Sequence, residues 1–316
     1  MKKKLSLFLI IAVLAIFATA CGPQESEDNK GGSEANKESE TMTIKHQLGE
    51  AKVKKNPEKV VTFDFGSLDT LDKLGVDVTG VPVDNLPAYL DKYKNAENVG
   101  GLMEPDFEKI NELQPDLIII SARQQDSYDK FNEIAPTVFM GIDYNNYMDS
   151  FKENVTTLGK IFGKEAEAKD ELAKIDESIA SIKEKTAGKE DKALITLTSG
   201  GKVTAFGPAS RFGLIHDVFG IKPAAQDLET DPRHGQNISF EFIAEQNPDI
   251  LYVIDRDAAV GEGNNAKQVI ENDLVKKTNA YKNDKIVYLD PGYWYLSGGG
   301  LISVAEMVKE AEEGIK

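Results

Sequence analysis

FEKINELQPDL, Phe107 to Leu117, returns without a gap as FEFIAEQNPDI, Phe240 to Ile250. Phe, Glu, Ile, Glu, Pro and Asp coincide. In each copy a short amphipathic stretch stops at Pro-Asp and runs into an apolar segment, Leu117 to Ile120 and Ile250 to Ile254. A helix feeding a continuous apolar run predicts a strand covered on both faces, as in a parallel sheet. Further strands are expected at Val60 to Phe65, Thr137 to Met140, Ala193 to Thr198, Lys202 to Phe206 and Lys285 to Leu289. Helices fall between them, including Ser67 to Leu74 and Phe212 to Phe219. This alternation predicts an α/β protein with two similar lobes.

Between the two copies lies Lys164 to Thr186, where Ala168, Leu172, Ile175, Ile179 and Ile182 recur at spacings of four and three. That is one apolar stripe on a helix with Lys and Glu elsewhere. Neither Pro nor Gly interrupts it, so at 1.5 Å per residue it reaches ~34 Å. The expected division is an amino-terminal lobe at 42–163, the joining helix at 164–187 and a carboxyl-terminal lobe at 188–316. An ordinary surface helix of a single domain is the alternative.

The amino terminus reads as an export signal over 1–20. Lys2, Lys3 and Lys4 precede an apolar run, Leu5 to Phe17, and the small residues Ala18-Thr19-Ala20 lead to Cys21, the only cysteine. A lone cysteine here fits the acylated residue of a bacterial lipoprotein, although Ala18 stands where Leu is usual. The alternative is a plain secretory signal with an incidental cysteine. Residues 21–41 hold little to bury and are expected to be a flexible tether. The whole chain has net charge −16. Without the three leader lysines, 34 basic residues face 53 acidic ones, a balance of −19 that opposes nucleic-acid binding.

Against that background the arginines stand out. The chain has 37 basic residues, and the arginines among them are Arg123, Arg211, Arg233 and Arg256. Arg123 and Arg256 each lie eight residues after the proline of their repeat, at the carboxyl end of an apolar strand. Open α/β sheets bind ligands at that end. Arg211 follows the strand ending at Phe206 and the turn Gly207-Pro208. Arginine presents a planar fork that holds oxyanions bidentately and stays charged. Pairing with neighbouring carboxylates is the alternative, and Asp255 and Asp257 flank Arg256. The converging forks predict an anionic, oxygen-rich or aromatic ligand. Tyr293, Trp294 and Tyr295 are candidates to stack on its rings, with Tyr89, Tyr144 and Tyr147 as weaker rim candidates. Arg233, between Pro232 and His234, is expected in a mobile loop.

The tether, the duplicated lobes about one long helix, and the repeat together resemble the iron-siderophore class of ABC-importer binding proteins. FDFGSLDTLDKLG (Phe63 to Gly75), LIIISARQ (Leu117 to Gln124), SRFGLIHDVFG (Ser210 to Gly220) and WYLSGGG (Trp294 to Gly300) are similar to petrobactin-type, catecholate-binding members. The resemblance covers essentially the whole mature chain. It implies two Rossmann-like lobes on a backbone helix, the class III periplasmic-binding-protein-like fold. It also implies a monomeric lipoprotein held at the extracellular face of a Gram-positive-type envelope, delivering a ferric siderophore to permease subunits and indirectly to an ATPase. Arg123, Arg211 and Arg256 match pocket arginines of the class. Met103 stands where catecholate-binding members often carry a basic residue, and so belongs with the ligand-contacting candidates. Glu108 and Glu241 match glutamates that meet arginines of the importer.

A bare metal site is not expected. His46 lies near the tether, and His216 sits in the apolar pattern Leu214-Ile215-His216-Asp217-Val218 as a satisfied helix histidine. Iron should arrive as Fe(III) already wrapped in its chelator, with no cofactor bound directly by the protein. Haem is the rival ligand, through Met103 and His234 as an axial pair. An enzyme is the weaker rival: Ser297-Gly298-Gly299-Gly300 lacks a P-loop lysine, and the chain has no G-x-S-x-G elbow. Close helix-to-sheet packing is the expected role of that glycine run.

Overall fold

A computed structural model of the chain describes residues 40–228, 231–263 and 265–316. The expected signal sequence, Cys21 and the expected tether up to residue 39 lie outside the described residues. Both copies of the repeat fold alike. Asp106 caps the helix Phe107–Leu113 by accepting from Lys109 N, and Ser239 caps Phe240–Gln246 by accepting from Phe242 N. Ile110 and Ile243 are fully buried, anchoring each short helix to its lobe. Each helix ends in a left-handed residue, Gln114 at φ 49° and Asn247 at φ 43°. The repeat aspartate then ties the turn to a neighbouring strand. Asp116 N donates to Lys59 O at 2.8 Å while its Oδ2 accepts from Lys59 N at 3.1 Å. Asp249 does the same with Lys192, at 2.9 Å and 3.0 Å. The repeat therefore encodes one way of launching the strand that follows it beside the strand already in place.

The described chain opens with a hairpin, β1 (Thr41–His46) and β2 (Gly49–Lys54). The tether was expected to run through residue 41, and the structure corrects this, because Thr41 already pairs with Lys54. Ile44, Ala51 and Val53 bury one face of the hairpin in the amino-terminal lobe. That lobe contains β3 (Val60–Thr62), β4 (Gly80–Val81), β5 (Glu97–Asn98), β6 (Leu117–Ile120) and β7 (Thr137–Phe139). They form an all-parallel sheet in the order β5-β4-β3-β6-β7. The second lobe contains β8 (Lys192–Ser199), β9 (Lys202–Phe206), β10 (Lys222–Pro223), β11 (Gln236–Ile238), β12 (Ile250–Asp255) and β13 (Ile286–Leu289). Its order is β11-β9-β8-β12-β13, with β10 beside β8. β8, β12 and β13 are parallel, whereas β9 returns antiparallel through Gly200 and Gly201, at φ 56° and 77°. Paired positive φ values are what a tight hairpin turn needs.

The joining helix is Glu165–Thr186, with Ala168, Ile175, Ile179 and Ile182 buried as the stripe predicts. The helix expected over Phe212 to Phe219 is one turn, Leu214–Asp217. The lobes share a core: Leu74, Tyr147, Phe151 and Val155 from the first pack with Ile195, Tyr252, Val304 and Met307 from the second.

The run Gly298-Gly299-Gly300 packs helix to helix, not helix to sheet as expected. A Cβ on Gly66, in the helix Phe65–Lys73, would come 3.1 Å from the backbone of Gly299. Asp69 of that helix is fully buried and accepts from Ile302 N at 3.1 Å and Ser303 N at 3.0 Å. It thereby caps the carboxyl-terminal helix Leu301–Glu313 from the opposite lobe. Thr70 Oγ1 accepts from Leu301 N, and the Tyr89 hydroxyl donates to Asp69 Oδ2 at 3.0 Å and lies 2.6 Å from Ser297 Oγ.

Candidate functional site

A recess opens where the carboxyl end of β6 meets the turn Gly292–Ser297. Arg123, Arg211 and Arg233 line it, and Asp64 is the one carboxylate among its described lining residues. Three guanidinium groups against one acid make the recess basic in an acidic protein.

Arg123 and Arg211 converge on one atom. Arg123 Nη2 donates to Tyr295 O at 2.7 Å and its Nη1 to Leu296 O at 3.3 Å. Arg211 Nη2 donates to the same Tyr295 O at 2.5 Å. Both guanidinium groups also lie over the Tyr295 ring, at 5.8 Å and 4.4 Å from its centroid. Neither makes an ion pair with a described carboxylate. Burial, and then the neighbouring charge of Arg211, push Arg123 down to about 10, which leaves it charged at neutral pH. Asp64 spends its carboxylate on its own helix, accepting from Ser67 N at 2.8 Å and Ser67 Oγ at 2.7 Å. Desolvation pushes its pKa up.

Arg256 is placed differently. Its Nη1 lies 3.4 Å from Glu262, 3.7 Å from Asp257 and 3.3 Å from Ser199 Oγ, and it stands outside the recess lining. Its side chain also hydrogen-bonds that of Tyr295, which the other two arginines surround. Arg233 is exposed, yet it lines the recess and its Nη2 reaches Ala122 O at 3.5 Å. The segment around it is pinned by Asp231, which accepts from Arg233 N at 2.8 Å and His234 N at 3.0 Å. The His234 side chain pairs with the same acid, and these bonds hold Asp231 down to about 2.

The aromatic candidates separate because residues one apart on a helical turn do not share a face. Trp294 touches the recess but is 2% exposed, and its Nε1 donates to Glu310 Oε2 at 2.8 Å. Tyr293 packs at a tilt of 41° against Tyr89, with centroids 4.6 Å apart, and is not in the lining. Tyr295, between them and the glycine run, is the residue the arginines surround. Tyr144 and Tyr147, weaker candidates from sequence, both line the recess. Met103 is 69% exposed and stands outside it. His216 is buried with Nδ1 2.8 Å from Ile221 O, and His46 packs against Tyr128. No group of three or more metal-ligating side chains occurs among the described residues. Glu108 and Glu241 are both exposed in the first turn of their repeat helices.

The lobes, the joining helix and the recess between them define a solute-binding protein, and the chain belongs to the periplasmic binding protein family, whose model matches residues 60–293. The petrobactin-binding protein YclQ of Bacillus subtilis (strain 168) is 54% identical over 321 residues, 99% of each chain. Its crystal structure superposes with a TM-score of 0.85, covering 88% of this chain and 99% of that one. The ferric-anguibactin-binding protein FatB of Vibrio anguillarum (strain ATCC 68554 / 775) is 36% identical over 86% of this chain and 87% of its own. The periplasmic catecholate-siderophore binding protein VctP of Vibrio cholerae is 38% identical with a TM-score of 0.82, covering 87% of this chain and all of that one.

Proposed function

We propose that this protein binds an anionic ferric siderophore, catecholate or mixed catecholate–carboxylate such as petrobactin, and delivers it to an ABC permease. The observation that carries this reading is the convergence of Arg123 and Arg211 on the Tyr295 carbonyl without a carboxylate partner among the described residues. A neutral carbonyl is a weaker acceptor than an oxyanion, so an incoming catecholate or carboxylate exchanges each bond for a stronger, charge-assisted one. Arg233 adds charge at the rim. The likeness to YclQ and VctP supports the ligand class. Delivery to permease subunits, lipid anchoring through Cys21 at the outer face of the cell membrane, and action as a monomeric binding protein without catalysis belong to the same proposal. Iron enters as cargo inside its chelator.

Titrating the purified mature domain and following Trp294 and tyrosine fluorescence tests this. Ferric petrobactin is expected to quench saturably and uncharged ferric hydroxamates not to. Saturation by haem with a new Soret band, and none with any anionic ferric siderophore, would overturn it.

A further inference from the structure

Tyr147 begins the helix Tyr147–Ile161 and is 6% exposed. Its ring belongs to the core shared by the two lobes, so packing sets where the hydroxyl points. That hydroxyl is buried and has no hydrogen-bond partner among the described residues, yet the residue lines the arginine recess. Tyr144, then Asp69 and Arg211, are the neighbours that act on it electrostatically. A Cβ placed on Gly298, across the recess wall, would lie 3.9 Å from the hydroxyl oxygen. The contrast with Tyr89 is informative, because that hydroxyl is satisfied by Asp69 and Ser297 in the seam. Burial also raises the Tyr147 phenol well above its ordinary value, so it keeps its proton and can donate.

A buried donor left unpaired costs a folded protein stability, and phenylalanine would fill the same space without that cost. A hydroxyl without a partner among the described residues, near a guanidinium that donates to a neutral carbonyl and makes no ion pair with a described carboxylate, both from residues lining one recess, is a donor set that an oxyanion would complete. We infer that Tyr147 is a specificity-determining residue: its hydroxyl donates to a catecholate or carboxylate oxygen of the bound siderophore, beside the fork of Arg211. This rests on the siderophore reading above.

The test compares wild type with Tyr147→Phe in two measurements on the mature domain, thermal unfolding without ligand and affinity for ferric petrobactin. The expected result is an unchanged or higher Tm together with an affinity at least tenfold lower, the loss of one hydrogen bond to a charged oxygen. Tyr89→Phe serves as the comparison and is expected to lower Tm. If wild type binds and Tyr147→Phe binds equally well, the inference fails while the siderophore reading stands. A lower Tm with unchanged affinity would likewise assign the hydroxyl to the fold. If wild type binds no ferric siderophore, the reading of function falls and the inference with it.

Discussion

Arg123 and Arg256 occupy equivalent repeat positions, but their surroundings give them different work. Arg123 faces backbone carbonyls in a desolvated recess, whereas Arg256 is already matched by Glu262 and Asp257. Removing a fork that makes no ion pair with a described carboxylate should weaken anion binding most. Arg123→Ala and Arg211→Ala are each expected to reduce ferric siderophore affinity by about 1.5–3 kcal/mol. Lys at either position should recover only part, since a point charge cannot bind bidentately. Arg256→Ala is expected to cost less than either, because Glu262 and Asp257 offset its charge. Isothermal titration of the set checks the order, and equal affinity throughout would remove the arginines from binding.

Among the elements, the seam between helices Phe65–Lys73 and Leu301–Glu313 governs how the recess is held. Its centre is Asp69, whose folded pKa burial raises from 3.8 to about 7 against the pull of its hydrogen-bond donors. Across that window the folded protein keeps a proton that the unfolded chain has released, so this group's contribution makes stability fall as pH rises. The fall is complete above about 7. Glu310, also raised to about 7 by burial, acts in the same direction. Asp69→Asn should therefore flatten, though not abolish, the decline of stability from about pH 4 to 7. Urea midpoints of both proteins over that range check it; parallel curves would show that Asp69 does not titrate there. Gly300 is dictated by the same seam, since its Cβ would collide with the Asp69 carboxylate.

For the molecule as a whole, the shared core and the long helix resist large lobe movement, so small adjustments around the recess are expected on binding. Docking is a separate matter and lies with the repeat. Glu108 and Glu241 are exposed at matching positions of the two lobes. Negative charge early in a helix is favourable by itself, but a repeat-related pair also suits two equivalent permease subunits. The variant combining Glu108→Ala and Glu241→Ala is predicted to keep its siderophore affinity and to lose most uptake of labelled ferric siderophore into cells, with each single change giving a partial loss. Normal uptake at matched expression would return both glutamates to helix stabilisation.

Local rules carried the sequence reading a long way. A helix, a left-handed turn, Pro-Asp and an apolar strand are specified within eleven or so residues, so both repeat copies, the joining helix and the strand-end position of Arg123 were legible. The hairpin at Thr41–Lys54 was not, because it is short and buries only one sparse face, alternating through Ile44, Ala51 and Val53. Nor could sequence choose among Tyr293, Trp294 and Tyr295. Adjacent residues on a turn point apart, and which one meets the arginines depends on how that turn is seated by Asp69, Tyr89 and Glu310. Those partners are distant along the chain, so only packing decides them. The amino-acid sequence determined two α/β lobes, a helix between them and arginines at strand ends. The tertiary structure alone left Arg256 paired with acids, Met103 in solvent and the hydroxyl of the recess-lining Tyr147 without a partner among the described residues, because each outcome depends on side chains that only folding brings together.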